Sequence, residues 1–319
     1  MLNQIIHILS PVHPVKRARR GGLLVFSVFI FLLITACEDY TQGSFEEHVV
    51  LEAYARANQP LPEVRLSATL PSGQEYSFGE AGLAGAHIQI TLVSEDGGDE
   101  AVFDYQPSAE VRGLYHAENK AHRMLPRRTY QIDVNFDNRP DVLHARTTIP
   151  DDIEIIREVP DTLVYQSSRQ LEIVLAPIEK TGEQSVFVFN NIALQPSEED
   201  LTPFYRELVV EEDEDIEALY NNDSGAINEA NFDTGQDGII TIQYPWISVA
   251  FFGPNQVVTN SIDKNLSDLV TSQSVQLGGG TLSPGVIPNL RYHVEGGIGI
   301  FGSLASDTVE TFFKRPGGN

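Results

Sequence analysis

From about Glu47 onward, apolar residues fall on every second position in short runs, and turn residues separate the runs. That spacing sends alternate side chains to opposite faces, which suits half-buried strands and not helices. The runs are His48–Arg56 (HVVLEAYAR), Glu63–Leu70 (EVRLSATL), Ala86–Val93 (AHIQITLV), Ala101–Tyr105 (AVFDY), Gly113–Ala117 (GLYHA), Thr129–Phe136 (TYQIDVNF) and Val142–Pro150 (VLHARTTIP). Pro60-Leu61-Pro62, Pro71-Ser72-Gly73, Glu95-Asp96-Gly97-Gly98 and Asp137-Asn138-Arg139-Pro140 punctuate them. Strands at this spacing predict an antiparallel β-sandwich over 47–150, immunoglobulin-like or transthyretin-like. The chain has one cysteine, so the Cys…Trp…Cys core of a true immunoglobulin domain is excluded.

A second β-rich domain is predicted over 151–319. DIEIIREV, TLVYQ, QLEIVLAP and GIITIQYPWISVAFF read as strands, and Gln184–Leu194 (QSVFVFNNIAL) reads as a strand buried on both faces. An acidic insertion lies near 197–237, with Arg206 its one basic residue. Its middle, EEDEDIEALY, reads either as a short exposed helix or as an excursion. Ser261–Ser272 predicts a helix, with Ile262, Leu266, Leu269 and Val270 sharing a face. The expected fold class is therefore all-β, with one or two short helices in the second domain, and no internal period marks a repeat array.

The stretch GGIGIFGS near the C-terminus contains G-x-G-x-x-G at Gly297, Gly299 and Gly302. A dinucleotide fingerprint works only where a strand turns into a helix inside a βαβ unit. Seventeen residues, Ser303–Asn319, follow the motif and leave no room for that unit, so no nucleotide cofactor is expected. Glycines that permit positive φ and close approach of a neighbouring strand account for the same spacing.

Other constellations are thin. Asp233, Asp237 and Gly238 sit where a calcium loop has its positions one, five and six. However, Gly235 and Tyr244 replace the acidic ligands at positions three and twelve. A hairpin turn at Asp237-Gly238 explains the same letters. No G-x-S-x-G, H-E-x-x-H or close histidine pair is present, so no enzyme, metal or cofactor is expected. Tyr244, Trp246, Phe251 and Phe252 form an aromatic cluster that reads either as a ligand or partner surface or as core. The net charge of −24 argues against nucleic-acid binding, because such a surface repels phosphates.

Residues 1–36 read as a signal peptide. Lys16, Arg17, Arg19 and Arg20 precede about sixteen apolar or small residues that end in Ile34-Thr35-Ala36-Cys37. That ending resembles a bacterial lipobox, which implies cleavage before Cys37 and acylation of its thiol. Residues 37–46 would then be a lipidated tether, and several acyl chains make a stable membrane anchor. Glu38-Asp39-Tyr40 resembles the surface-export signal of Bacteroidota lipoproteins.

Three passages in order extend the resemblance: VVLEAYARANQPLPEVRLSATLP after the lipobox, then LAGAHIQITLVSEDGGDEAVFDY…GLYHA…LPRRTYQIDV…ARTTIP, and VEGGIGIFGS near the end. Together they are similar to the Bacteroidota lipoproteins catalogued as domain of unknown function 4249. The resemblance implies an outer-membrane lipoprotein, with TonB-dependent receptors as neighbours and no established activity. It also implies that GGIGIFG is a signature of the closing strands. The expected function is a non-enzymatic binding or accessory component on the cell surface, partnered with a TonB-dependent transporter. An adhesin or structural envelope protein is the alternative, and a hydrolase of an extracellular polymer a third. An exposed aromatic or apolar patch at one end of the β-domains would favour the first.

Overall fold

Alternation in the first half of the chain becomes seven strands: β1 (Val49–Arg56), β2 (Val64–Ala68), β3 (Ala86–Val93), β4 (Asp99–Pro107), β5 (Leu114–Ala117), β6 (Thr129–Phe136) and β7 (Val142–Thr148). A computed structural model describes residues 45–180, 184–212, 215–274 and 290–317. The signal peptide, Cys37 and the export signal lie outside the described residues. In β1 and β6 every second residue is buried, as period-two patterning requires of a sheet with one covered face. A single turn of helix, α1 (Phe78–Ala81), interrupts the connection from β2 to β3.

The second half supplies β8 (Thr162–Val164), β9 (Leu171–Leu175), β10 (Val186–Ala193), β11 (Asn221–Asp223), β12 (Ile227–Asn228), β13 (Asp233–Thr234), β14 (Ile240–Tyr244), β15 (Gly253–Ile262), β16 (Val294–Glu295) and β17 (Ile298–Lys314). Its helices are α2 (Pro203–Glu212) in the acidic segment and α3 (Lys264–Ser274). The predicted strand DIEIIREV is irregular apart from a bridge between Ile155 and Leu175. β10 is buried on one face and half-buried on the other, so the expectation of two covered faces is corrected. α3 and β17 cover only part of its outer side, through Leu266, Leu269 and Leu304 against Val186 and Val188.

The strand order β11-β10-β15-β17-β1-β2-β5-β4-β3-β6-β7-β16 runs through both halves of the chain. β17 belongs to both. Its first residues run parallel to β1, from Val50 opposite Ile298 to Arg56 opposite Leu304. Its remainder runs antiparallel to β15, and its end pairs with β8. β16 pairs with β7 at the opposite end of the sandwich, two residues before β17 begins. The segment Val294–Leu304 therefore links the first and last strands of the sandwich.

Two main cores result. The first takes the inward residues of β1 to β7 together with Val294 and Phe301. The second lies between the inner face of β10, β15 and β17 and the small sheet β13-β14-β9. Phe187, Phe189, Ile173, Ile242, Val257 and Phe313 fill it. The first core draws Val294 and Phe301 from beyond residue 150, and residues 47–319 form one compact unit through the shared strand.

Candidate functional site

The glycine stretch answers to backbone geometry. Gly296 and Gly299 have φ of +79° and +114°, a region that L-residues with a Cβ rarely adopt. A Cβ built on Gly296 would stand 1.9 Å from the Val142 carbonyl oxygen, and one on Gly299 would stand 2.0 Å from that of Leu51. Gly297 is wedged between Val49 and Leu143, and Gly302 lies under Leu266. These glycines let the chain cross from β7 to β1 at backbone contact distance. A strand precedes the motif and a strand follows it, so the phosphate-cradling helix is missing here.

The aromatic cluster is core. Tyr244, Phe251 and Phe252 are buried, which corrects the reading of these three as a ligand or partner surface. After β14 the chain makes a short 3-10 turn at Trp246–Ser248 and then runs inward. Tyr244 packs edge-on against Phe189, Phe252 against Tyr165, and Phe251 against Tyr220. Burial pushes the Tyr244 hydroxyl well above the ordinary tyrosine range. Trp246 is half-buried, its ring 5.4 Å from Tyr165 and 6.2 Å from Phe313, so it closes the rim of the second core.

Asp233 and Asp237 belong to the hairpin joining β13 to β14. Asp233 pairs with Thr241, the Gly235 N–H donates to the Ile239 carbonyl, and Asp237 Oδ1 accepts from the Ile239 N–H. Gly238 takes the positive φ of the turn. Among the described residues no group of three His, Cys, Asp or Glu side chains is placed to hold a metal ion.

Two features that the sequence did not single out stand out on the surface. The first is an apolar row at one end of the outer face of β10, β15, β17 and β8. Pro254 lies opposite Phe312, and Phe312 opposite Thr162, while the Leu194 N–H donates to the Pro254 carbonyl. Val164, two residues beyond Thr162, shares that face. Leu194 and Phe312 are each 44% exposed and Val164 is 39% exposed, whereas their neighbours Phe313 and Leu163 are buried on the inner side. In the pair Phe312-Phe313 one ring therefore faces the core and the other faces solvent. Sequence alone could not divide them.

The second is a cleft of about 670 Å³ between β7, the start of β10 and the N-terminus of α3. Its walls mix polar and apolar groups: Thr147, Ser185, Asp263 and Asn265 line it beside Ile178 and Ile262. Behind it, the end of β7 beyond its pairing with β16 faces the start of β17 ahead of its pairing with β15, and side chains bridge the two. Asn265 donates from Nδ2 to the carbonyls of Arg146 (2.6 Å) and Phe301 (2.8 Å), and Ser303 Oγ donates to the Thr148 carbonyl at 3.0 Å. Asp263 caps α3, accepting from the Leu266 N–H at 2.9 Å. Its place one residue ahead of the helix was the available signal.

Asp268 lies on the outer side of the cleft. Burial opposes its ionisation, but bonds from Lys264 and His293 prevail and hold its carboxyl below the ordinary value. The pairing therefore stabilises the fold above the unfolded-state pKa, and that stability is lost as pH falls through the lowered native one.

An all-β chain with a strand shared between two cores, closed by a glycine crossing, is the class these features define. The chain belongs to the family described as Domain of unknown function (DUF4249), whose profile matches residues 37–310. No curated protein matches it.

Proposed function

We propose that this chain is a cell-envelope lipoprotein, anchored in the outer membrane through lipidated Cys37 and facing the cell surface. It acts there as a non-enzymatic binding or accessory component of a TonB-dependent transporter. The observation that supports a macromolecular partner is the apolar row Leu194–Pro254–Phe312–Val164. Leu194, Phe312 and Val164 are exposed on one face of neighbouring strands with Pro254 between, the kind of apolar surface that partner contacts use. Aromatic residues such as Phe312 are enriched at such contacts and supply much of their energy.

The test is affinity purification of the tagged full-length chain from its native membranes, beside Phe312→Glu and Cys37→Ala. The wild type is expected to retain an outer-membrane receptor in stoichiometric amount. Phe312→Glu is expected to lose about tenfold or more of it, while its own stability changes by less than about 1 kcal/mol because the ring is already half in water. Cys37→Ala is expected to leave the membrane fraction and to lack the mass of the acyl chains. Receptor retention unchanged in Phe312→Glu would remove the row as the docking surface. A Cys37→Ala chain that still partitions like wild type would overturn the anchor.

A further inference from the structure

The seam between β7 and β17 contains a chain of three hydrogen-bonding contacts. Thr147 Oγ1 lies 2.6 Å from Asp263 Oδ2 and 2.6 Å from Ser303 Oγ, and Ser303 Oγ lies 3.0 Å from the Thr148 carbonyl oxygen. The two ends, a carboxylate and a carbonyl, are acceptors only, and each hydroxyl brings one proton. Three contacts need three protons, and the two hydroxyls supply two. Thr147, Asp263 and Ser303 are all buried, Ser303 completely, although Thr147 and Asp263 also line the cleft.

We infer that Asp263 carries the third proton in the native state, and that this proton is a pH-sensitive latch holding α3 and β17 against β7. The protonated carboxyl donates to Thr147, Thr147 to Ser303, and Ser303 to the Thr148 carbonyl, while Asp263 Oδ1 still accepts from Leu266. When the proton leaves, Thr147 must turn its own to the carboxylate. Ser303 then has one proton for two oxygen neighbours, and one short O···O contact becomes repulsive. The N-terminus of α3 loosens from β7 at the cleft.

The surroundings agree. Burial pushes the Asp263 carboxyl above the ordinary aspartate value, against donors from Thr147 and from the backbone of Leu266, Ser303 and Asn265. Charged residues approach the cleft from every side: Arg146 of β7, Asp151 and Glu179 of the chain after it, and Lys264 and Asp268 of α3. Each has a partner of its own. Arg146 bonds Gln131, Arg127 pairs with both Asp151 and Glu179, and Lys264 bonds Asp268.

The native state thus holds a proton that the unfolded chain releases. Stability from this group is complete below the unfolded pKa of about 3.9 and is lost as pH rises to the raised native value. Asp263→Asn mimics the protonated acid, because its amide N–H donates to Thr147 and its oxygen accepts from Leu266. Urea unfolding of wild type and Asp263→Asn is compared across this range, and the carboxyl carbon of Asp263 is followed by NMR in the wild type. At the acid end the two proteins are expected to match. Within the window, the folding equilibrium of the variant gains on wild type by up to about tenfold per pH unit, then levels off. A difference independent of pH would overturn the latch, as would a carboxyl that titrates at or below the ordinary value. Should Asp263→Asn fail to fold, the wild-type titration alone decides.

Discussion

Gly299→Val is expected to abolish the cooperative fold. Valine meets two obstacles at this position. A φ of +114° is a genuine outlier for a β-branched residue, with strain of about 1–3 kcal/mol. Its Cβ would also lie 2.0 Å from the Leu51 carbonyl oxygen, and that oxygen belongs to the backbone of β1, so no rotamer relieves the clash. The strands must separate where Leu51 pairs with Gly299, which disturbs the parallel ladder and the burial of Phe301 two residues on. A total above about 4 kcal/mol is expected, a large share of the about 5–15 kcal/mol that ordinary domains possess. Two controls set the scale. Gly317→Ala, at φ +72° with nothing within 4 Å, has only backbone strain to bear, and Gly302→Ala meets the Leu266 side chain, which can shift. Circular dichroism and the fluorescence of Trp246, the one tryptophan, read the result in urea. A Gly299→Val transition with a midpoint near wild type would refute the crossing geometry.

The strands of the first half were legible because each has one buried face, so alternation survives in the letters. The seven runs read from sequence coincide with β1 to β7 to within a few residues at each end. α3 was legible for a related reason, since Leu266 and Leu269 share a face that meets Ile300. Its expected start at Ser261 and Ile262 is corrected, because those residues close β15 and the helix begins at Lys264. β17 was not. Its first residues are packed on both faces, its period is broken by glycines, and only its end, DTVETFFK, reads as a strand. The aromatic cluster shows the limit of composition: an aromatic-rich segment looks alike whether it lines a surface or turns into a core. The seam was illegible for a different reason. Thr147 meets Asp263 and Ser303 across 116 and 156 residues of sequence, and no local pattern marks such a pair.

Residues 45–150 are expected not to fold by themselves, although they contain every strand of the first sandwich. In the order β1-β2-β5-β4-β3-β6-β7 the two end strands are completed only by later residues. Without β17, β1 loses seven paired positions, from Val50 to Arg56, and becomes an open edge with alternate residues fully apolar. Such an edge invites aggregation. Without β16, α3 and β17, β7 loses its pairing at His144 and Ala145 and the Asn265 and Ser303 donors to its carbonyls. The core also loses Phe301, which is fully buried, and removing a ring of that kind costs about 3–5 kcal/mol. Together with the lost edge pairing, this removes a large share of the about 5–15 kcal/mol that a domain ordinarily holds in reserve. The fragment is therefore expected to give no cooperative urea transition. The same fragment joined through a flexible linker to residues 290–306 is expected to regain one, because the glycine crossing then returns both edges and Phe301 together. A cooperative transition in the bare fragment would mean that the sandwich closes without its last strand. The sequence boundary at residue 150 would then be a folding boundary.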